Sequence, residues 1–272
     1  MRKRSKKPRQ PYASRCAAGE NPWRALDRWY GTPVGQEMAA AENRLLGEVL
    51  GNLFGYHFLQ IGSPAQRGFL EHSRVSRRML MDICDDPGGA DGPGLFRGMA
   101  PALPVRGDSL DVILLPHVLE FTPHPHEVLR EADRTLVPEG HVVILGFNPI
   151  SLWQLWRWSL GWRGRLPWCG RFYSAPRVRD WLTLLGFEVV HLRHYFWRPP
   201  MQHAGILQRL AFLDRLGQRA WPIFGAGYVM VARKRVSTLT PIRPRWRPHR
   251  ALRPSGVIEP TPRNLNSREI NP

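Results

Sequence analysis

The chain has 272 residues, of which 43% are hydrophobic, and a net charge of +17. That length can bury a full core, that composition excludes wholesale disorder, and no run approaches the roughly 18 apolar residues of a membrane-spanning helix. The charge is unevenly spread. Residues 1–15 carry seven Lys/Arg and no acid, residues 233–272 carry ten Lys/Arg and two acids, and residues 16–232 keep a net charge of only +2. The basicity therefore belongs to the ends, where it can hold nucleic acid or an anionic membrane loosely, and says little about the body. Cys16, Cys84 and Cys169 are far apart and form no CxxC pair. They argue against a disulfide framework or structural zinc and fit a reducing cytoplasm. The basic N-terminus leads into no apolar segment of the secretory kind.

The elements follow in chain order. Residues 1–15 read as a disordered basic tail, and 16–54 as a helical region. Its main helix starts at Thr32-Pro33 and carries Met38, Glu42, Leu45, Leu46, Val49 and Leu50 at near-helical spacing. The run from Tyr56 to Gly62 reads as a strand entering a turn, Met79–Asp82 as a weaker strand, and 85–94 as a loop. Asp111–Pro116 has the continuous apolar character of a strand buried on both faces. Pro123 and Pro125 then introduce an amphipathic helix through Val128, Leu129, Ala132 and Leu136, a turn follows at Pro138-Glu139-Gly140, and a buried strand spans 141–147. Strand, helix and strand within roughly 40 residues make a βαβ unit and a parallel sheet. A helix with Val178, Trp181, Leu182 and Leu185, a strand over 186–192 and a last strand over 225–234 complete an α/β, doubly wound sheet. Residues 236–272, with seven prolines from Pro241 onward, read as disordered or extended.

The stretch 103–149 carries Leu103-Pro104, Asp111, Val118-Leu119-Glu120-Phe121, Val128-Leu129-Arg130-Glu131 and Arg134-Thr135-Leu136-Val137-Pro138-Glu139-Gly140 in that order. It resembles the central segment of the class I S-adenosylmethionine-dependent methyltransferases of the small-molecule kind. The resemblance covers roughly 55–235 and implies a mostly parallel seven-stranded sheet whose last strand, Gly227–Ala232, runs antiparallel. It also implies S-adenosylmethionine as cofactor and a small-molecule or lipid-like acceptor. The family's Gly-rich turn after strand one stands here as Gln60-Ile61-Gly62-Ser63-Pro64-Ala65-Gln66, with a single glycine. Two readings stay open: a modified pocket entered through Gly62 and Ser63, or a domain that has lost its cofactor and serves as a binding scaffold. The basic ends leave a third, an RNA-associated methyltransferase.

By the same resemblance Gln60, Gly62 and Ser63 belong to the cofactor turn. Asp82 would accept hydrogen bonds from the ribose diol, as a two-oxygen acceptor can. Met99 and Ala100 take the position beside the adenine, where Met99 could pack on the purine. Leu115, Pro116 and His117 form the exit of strand four. Methyl transfer requires in-line alignment, and a base only where the acceptor must lose a proton. His117 is the candidate for that base and Glu120 the residue to orient it. His117, His124 and His126 are close in sequence, but the intervening prolines speak against a shared metal. The segment 150–168 interleaves Trp153, Trp156, Trp158 and Trp162 with arginines. The resemblance implies a lid over the acceptor here, and the residues themselves suit a hydrophobic or aromatic acceptor pocket, a grip on a lipid surface, or packing of the Trp side chains on the sheet edge.

Overall fold

A computed structural model describes residues 21–62, 64–83, 93–154 and 170–236, Pro64 and Ala65 by their backbone alone. Both basic tails, Ser63, the three cysteines, most of the loop at 85–94 and residues 155–169 of the Trp-rich segment lie outside the described residues.

Two helices precede the sheet. In α1 (Pro22–Tyr30) the Asn21 side chain accepts from the Trp23 amide, and in α2 (Pro33–Leu50) the Thr32 hydroxyl accepts from the Gly35 amide. Each cap satisfies an amide with no partner inside the helix and is worth about 1 kcal/mol, and Pro at the first position needs no such partner. The buried face of α2 is Val34, Met38, Ala41, Glu42, Leu45 and Leu46, a helical stripe with one carboxylate in it.

The sheet consists of β1 (His57–Gly62), β2 (Arg77–Asp82), β3 (Leu95–Arg97), β4 (Leu110–Pro116), β5 (Leu136–Phe147), β6 (Phe187–Tyr195) and β7 (Gly227–Lys234). Their order across it is 3-2-1-4-5-7-6, with β7 inserted antiparallel between β5 and β6. β1, β4 and the second half of β5 from Val142 are buried nearly throughout, which is why Asp111–Pro116 and 141–147 read as buried apolar strands. A single-turn helix (α3, Val118–Phe121) and α4 (Pro125–Thr135) connect β4 to β5, and α5 (Ala175–Leu184) precedes β6. Asp111, at the start of β4, accepts from the amides of both Tyr56 and His57 at 2.9 Å and so pins the beginning of β1.

Three features differ from the sequence reading. The turn at 138–140 is absorbed into β5 as an irregularity, where pairing passes from Leu110↔Leu136 to Val112↔His141 and Glu139 takes a left-handed backbone. The second half of the expected cofactor turn and the residues after it form a 3-10 helix, Pro64–His72. Two helices, α6 (Ala204–Arg209) and α7 (Phe212–Ala220), separate β6 from β7.

Candidate functional site

Parallel strands end together at one edge of the sheet, where α/β proteins gather their ligands. Here β1 ends at Gly62 and β2 at Asp82, and these two residues are direct partners in the strand register. Pro116, at the end of β4, lies beside them. A Cβ built on Gly62 would stand 2.8 Å from Gln66 Oε1 and 3.3 Å from Pro116 Cγ, so a glycine is what keeps the backbone bare at this point. Asp82 is buried, and its carbonyl accepts from the Gly98 amide, which brings the segment after β3 to the same edge. Ala100 is buried there and Met99 is exposed, with a bridge joining Met99 to Ala102. Gln60 Nε2 donates to the Gln66 carbonyl at 2.9 Å and closes the turn from within. Its Oε1 is buried without a hydrogen-bond partner. The structure thus gathers Gln60, Gly62, Asp82 and Pro116, while Leu115 is fully buried inside β4.

The exit of β4 holds a buried charged cluster. His117 has a left-handed backbone, φ 54°, which directs its ring inward, where it stacks on Phe147 with centroids 4.1 Å apart. Its Nε2 lies 3.1 Å from Glu42 Oε1 and its Nδ1 lies 3.3 Å from Glu120 Oε1. All three residues are buried. Glu42 Oε1 also accepts from Tyr195 Oη at 3.0 Å, and its Oε2 from Tyr30 Oη at 2.9 Å. Glu120 Oε1 accepts from the Phe147 amide at 2.7 Å, and Glu120 Oε2 is buried with no hydrogen-bond partner.

Burial by itself pulls the His117 pKa down. Hydrogen bonds to Glu120 and Glu42, together with their negative charges, more than reverse this and raise it from 6.5 to about 9. At neutral pH the ring is therefore an imidazolium donating from both nitrogens, with no lone pair left to take a proton. Burial, reinforced by Glu42, holds the phenols of Tyr30 and Tyr195 well above their ordinary value, so both remain donors.

His117 and Glu120 meet as the sequence placed them. Glu42, Tyr30 and Tyr195 were not anticipated, although an acid on the apolar stripe of α2 was a visible sign of a buried partner. His124 and His126 lie apart from this cluster, in a groove of about 300 Å³ between α4 and α5 that Arg130, Arg171 and Arg177 also line. Among the described residues no group of three or more His, Cys, Asp or Glu side chains is arranged to hold a metal ion. Trp153, the one tryptophan of the 150–168 segment that is described, packs in the core against Trp29 and Phe147, and its Nε1 donates to the Arg198 carbonyl at 2.9 Å.

Comparison with known proteins places the chain in a family. The family model of a methyltransferase domain matches residues 63–192. The chain is 33% identical over 216 residues to the uncharacterized protein YafS of Escherichia coli (strain K12), which covers 79% of this chain and 84% of YafS. The chain belongs to the class I S-adenosylmethionine-dependent methyltransferases. Among solved structures, the methyltransferase resembles a S-adenosylmethionine-dependent methyltransferase of Thermotoga maritima with a TM-score of 0.55 at 17% identity, over 78% of this chain and all of that one. One from Archaeoglobus fulgidus gives 0.52 at 16% identity, over 73% of this chain and 94% of that one. These likenesses establish the fold. The cofactor is S-adenosylmethionine, and the residues at the strand ends suit it: a bare backbone at Gly62, a carboxylate beside it at Asp82, and an unpartnered buried acceptor at Gln60 Oε1.

Proposed function

We propose that this methyltransferase acts in the cytoplasm on a small-molecule or lipid-like acceptor, with the cofactor held by the ends of β1, β2 and β4. The observation that carries the site assignment is the pairing of Gly62 with Asp82 beside Pro116. In this reading Asp82 accepts from the ribose diol, Gly62 admits the cofactor against bare backbone, and Gln60 Oε1 accepts from its ammonium group. Ala100 and Met99 border the adenine, with Ser63 next in the turn. Bound S-adenosylmethionine supplies an electrophilic methyl group on a sulfonium.

The acceptor side belongs to Glu120. His117, being protonated, is a positioning residue: with the Phe147 amide it fixes one oxygen of Glu120 and leaves the other unpartnered. That free oxygen can hold an acceptor through an N–H or O–H and take its proton if one must leave. Glu42 fixes the imidazolium from the opposite side.

Calorimetric titration with S-adenosylmethionine and S-adenosylhomocysteine tests the cofactor assignment. Micromolar binding is expected. Asp82→Ala, which removes charge-assisted hydrogen bonds of about 1.5–3 kcal/mol, weakens it roughly 10- to 100-fold. Equal binding by wild type and variant would overturn the role given to Asp82.

A further inference from the structure

Three segments meet beyond the ends of β5 and β7: residues 148–152 leaving β5, the helices α6 and α7, and the short turn Pro222–Phe224 leading into β7. Asn148 ties them, its Nδ2 donating to the Ile223 carbonyl at 2.7 Å and to the Gly225 carbonyl at 2.9 Å. Trp197 Nε1 donates to the Trp221 carbonyl at 3.0 Å. The result is a braced platform whose outer side is apolar. Leu152, Phe212, Leu216, Trp221, Ile223 and Phe224 are each between 43% and 58% exposed. Four of them line an apolar cavity of about 320 Å³ backed by Trp197 and Gly217. A contiguous patch of this kind is unfavourable in water and marks a place of contact.

The charge around the patch names the partner. Arg209, Arg215 and Arg219 lie exposed on the same two helices and make no ion pair among the described residues. The acid of these helices, Asp214, is committed to the Arg198 guanidinium and the Trp197 amide. Large apolar side chains on helices that also carry exposed arginines outside any ion pair among the described residues match a headgroup layer: the rings and Leu enter the acyl boundary while guanidinium groups meet phosphates. The chain continues past Gln154 into a stretch of the same chemistry in sequence, Trp156, Trp158, Trp162 and Trp168 among Arg157, Arg163 and Arg165.

We propose that this platform docks on the surface of a bilayer containing anionic lipid. It lies at the edge of the sheet where β5 ends and β7 begins, the edge that carries Gly62, Asp82 and Pro116. Docking therefore brings the methyl-transfer edge to the lipid, and a lipid-like acceptor reaches it without crossing water. This last consequence rests on the acceptor reading above, whereas the docking itself does not.

The test is co-sedimentation of the full chain with phosphatidylcholine vesicles, with and without phosphatidylglycerol, alongside calorimetry with S-adenosylhomocysteine. Wild type is expected to bind the mixed vesicles with a blue shift of tryptophan emission. The triple variant Leu216→Ser, Trp221→Ser, Phe224→Ser should bind at least about tenfold more weakly. The pair Arg209→Glu, Arg219→Glu should lose mainly the gain that phosphatidylglycerol provides. Both sets lie outside the cofactor residues, so unchanged S-adenosylhomocysteine binding reports intact folding. Vesicle binding that survives the serine substitutions would belong to the basic tails and overturn the proposal. So would absence of binding, or a dimer dissolved by those substitutions in a chain that ignores vesicles. Failure of cofactor binding in wild type would instead remove the cofactor assignment and leave the docking result standing.

Discussion

Protonation of His117 gives a direct test of the electrostatics at the exit of β4. A pKa raised from 6.5 to about 9 means that the folded chain holds this proton more tightly than the unfolded one. At about 1.4 kcal/mol per pKa unit, the difference is worth about 3 kcal/mol. Because the folded value is the higher one, this stabilisation is complete below pH 6.5, declines as the pH rises, and is gone above about 9. Tyr30 and Tyr195 add a further loss only in the ordinary tyrosine range and beyond, so the informative window runs from about pH 6 to pH 9.5. Urea unfolding followed by circular dichroism across that window should show wild-type stability falling. His117→Asn keeps a residue that tolerates the left-handed backbone but cannot bridge two carboxylates. At neutral pH it should cost about 3–5 kcal/mol, the penalty of breaking a buried pair, and the two curves should converge toward the alkaline end. Curves that run parallel across the window would refute a protonated His117.

Other perturbations read other parts of the molecule. Gly62→Val places its first side-chain carbon 2.8 Å from Gln66 Oε1 and 3.3 Å from Pro116 Cγ, so calorimetry should show S-adenosylhomocysteine binding lost while unfolding stays cooperative. Arg198 is buried between Asp214 at 2.8 Å and Glu37 at 2.9 Å. Arg198→Met strands both acids and should lower stability by about 3 kcal/mol in denaturant titration. Gly146→Ala drives a methyl to 2.5 Å from the buried Tyr228 phenol, an overpacking that should cost about 1–3 kcal/mol by thermal melting.

Much of the architecture was readable where a strand is buried on both faces or a helix carries its own start signal. β4 and the second half of β5 are near-continuous apolar runs, and the helices opened by Pro33 and Pro125 begin where those prolines stand. β3 was not recognised because it has three residues at the edge of the sheet, none of them buried, and so carries no burial pattern. α6 and α7 escaped for a related reason: their large apolar residues face outward, and their buried positions are few. At the site, His117 and Glu120 are three residues apart and follow one strand, so local spacing suffices to pair them. Glu42 stands 75 residues before His117 and 153 before Tyr195, distances over which no local pattern connects side chains. Only its place on the stripe Val34, Met38, Ala41, Leu45 told against an ordinary surface acid.

The span of Glu42's contacts has a consequence for the order in which the protein is made. Helix α2 leaves the ribosome among the first elements, carrying a carboxylate that its final position keeps dry. The imidazole that answers it is synthesised 75 residues later, and the second phenol later still, at the end of β6. Until then burial of α2 against the sheet would leave a bare negative charge in a medium of low polarity, which is strongly unfavourable. The early helix is thus held back from premature collapse. By this electrostatic argument the docking of α2 becomes favourable only once β4 and β6 have supplied His117 and Tyr195.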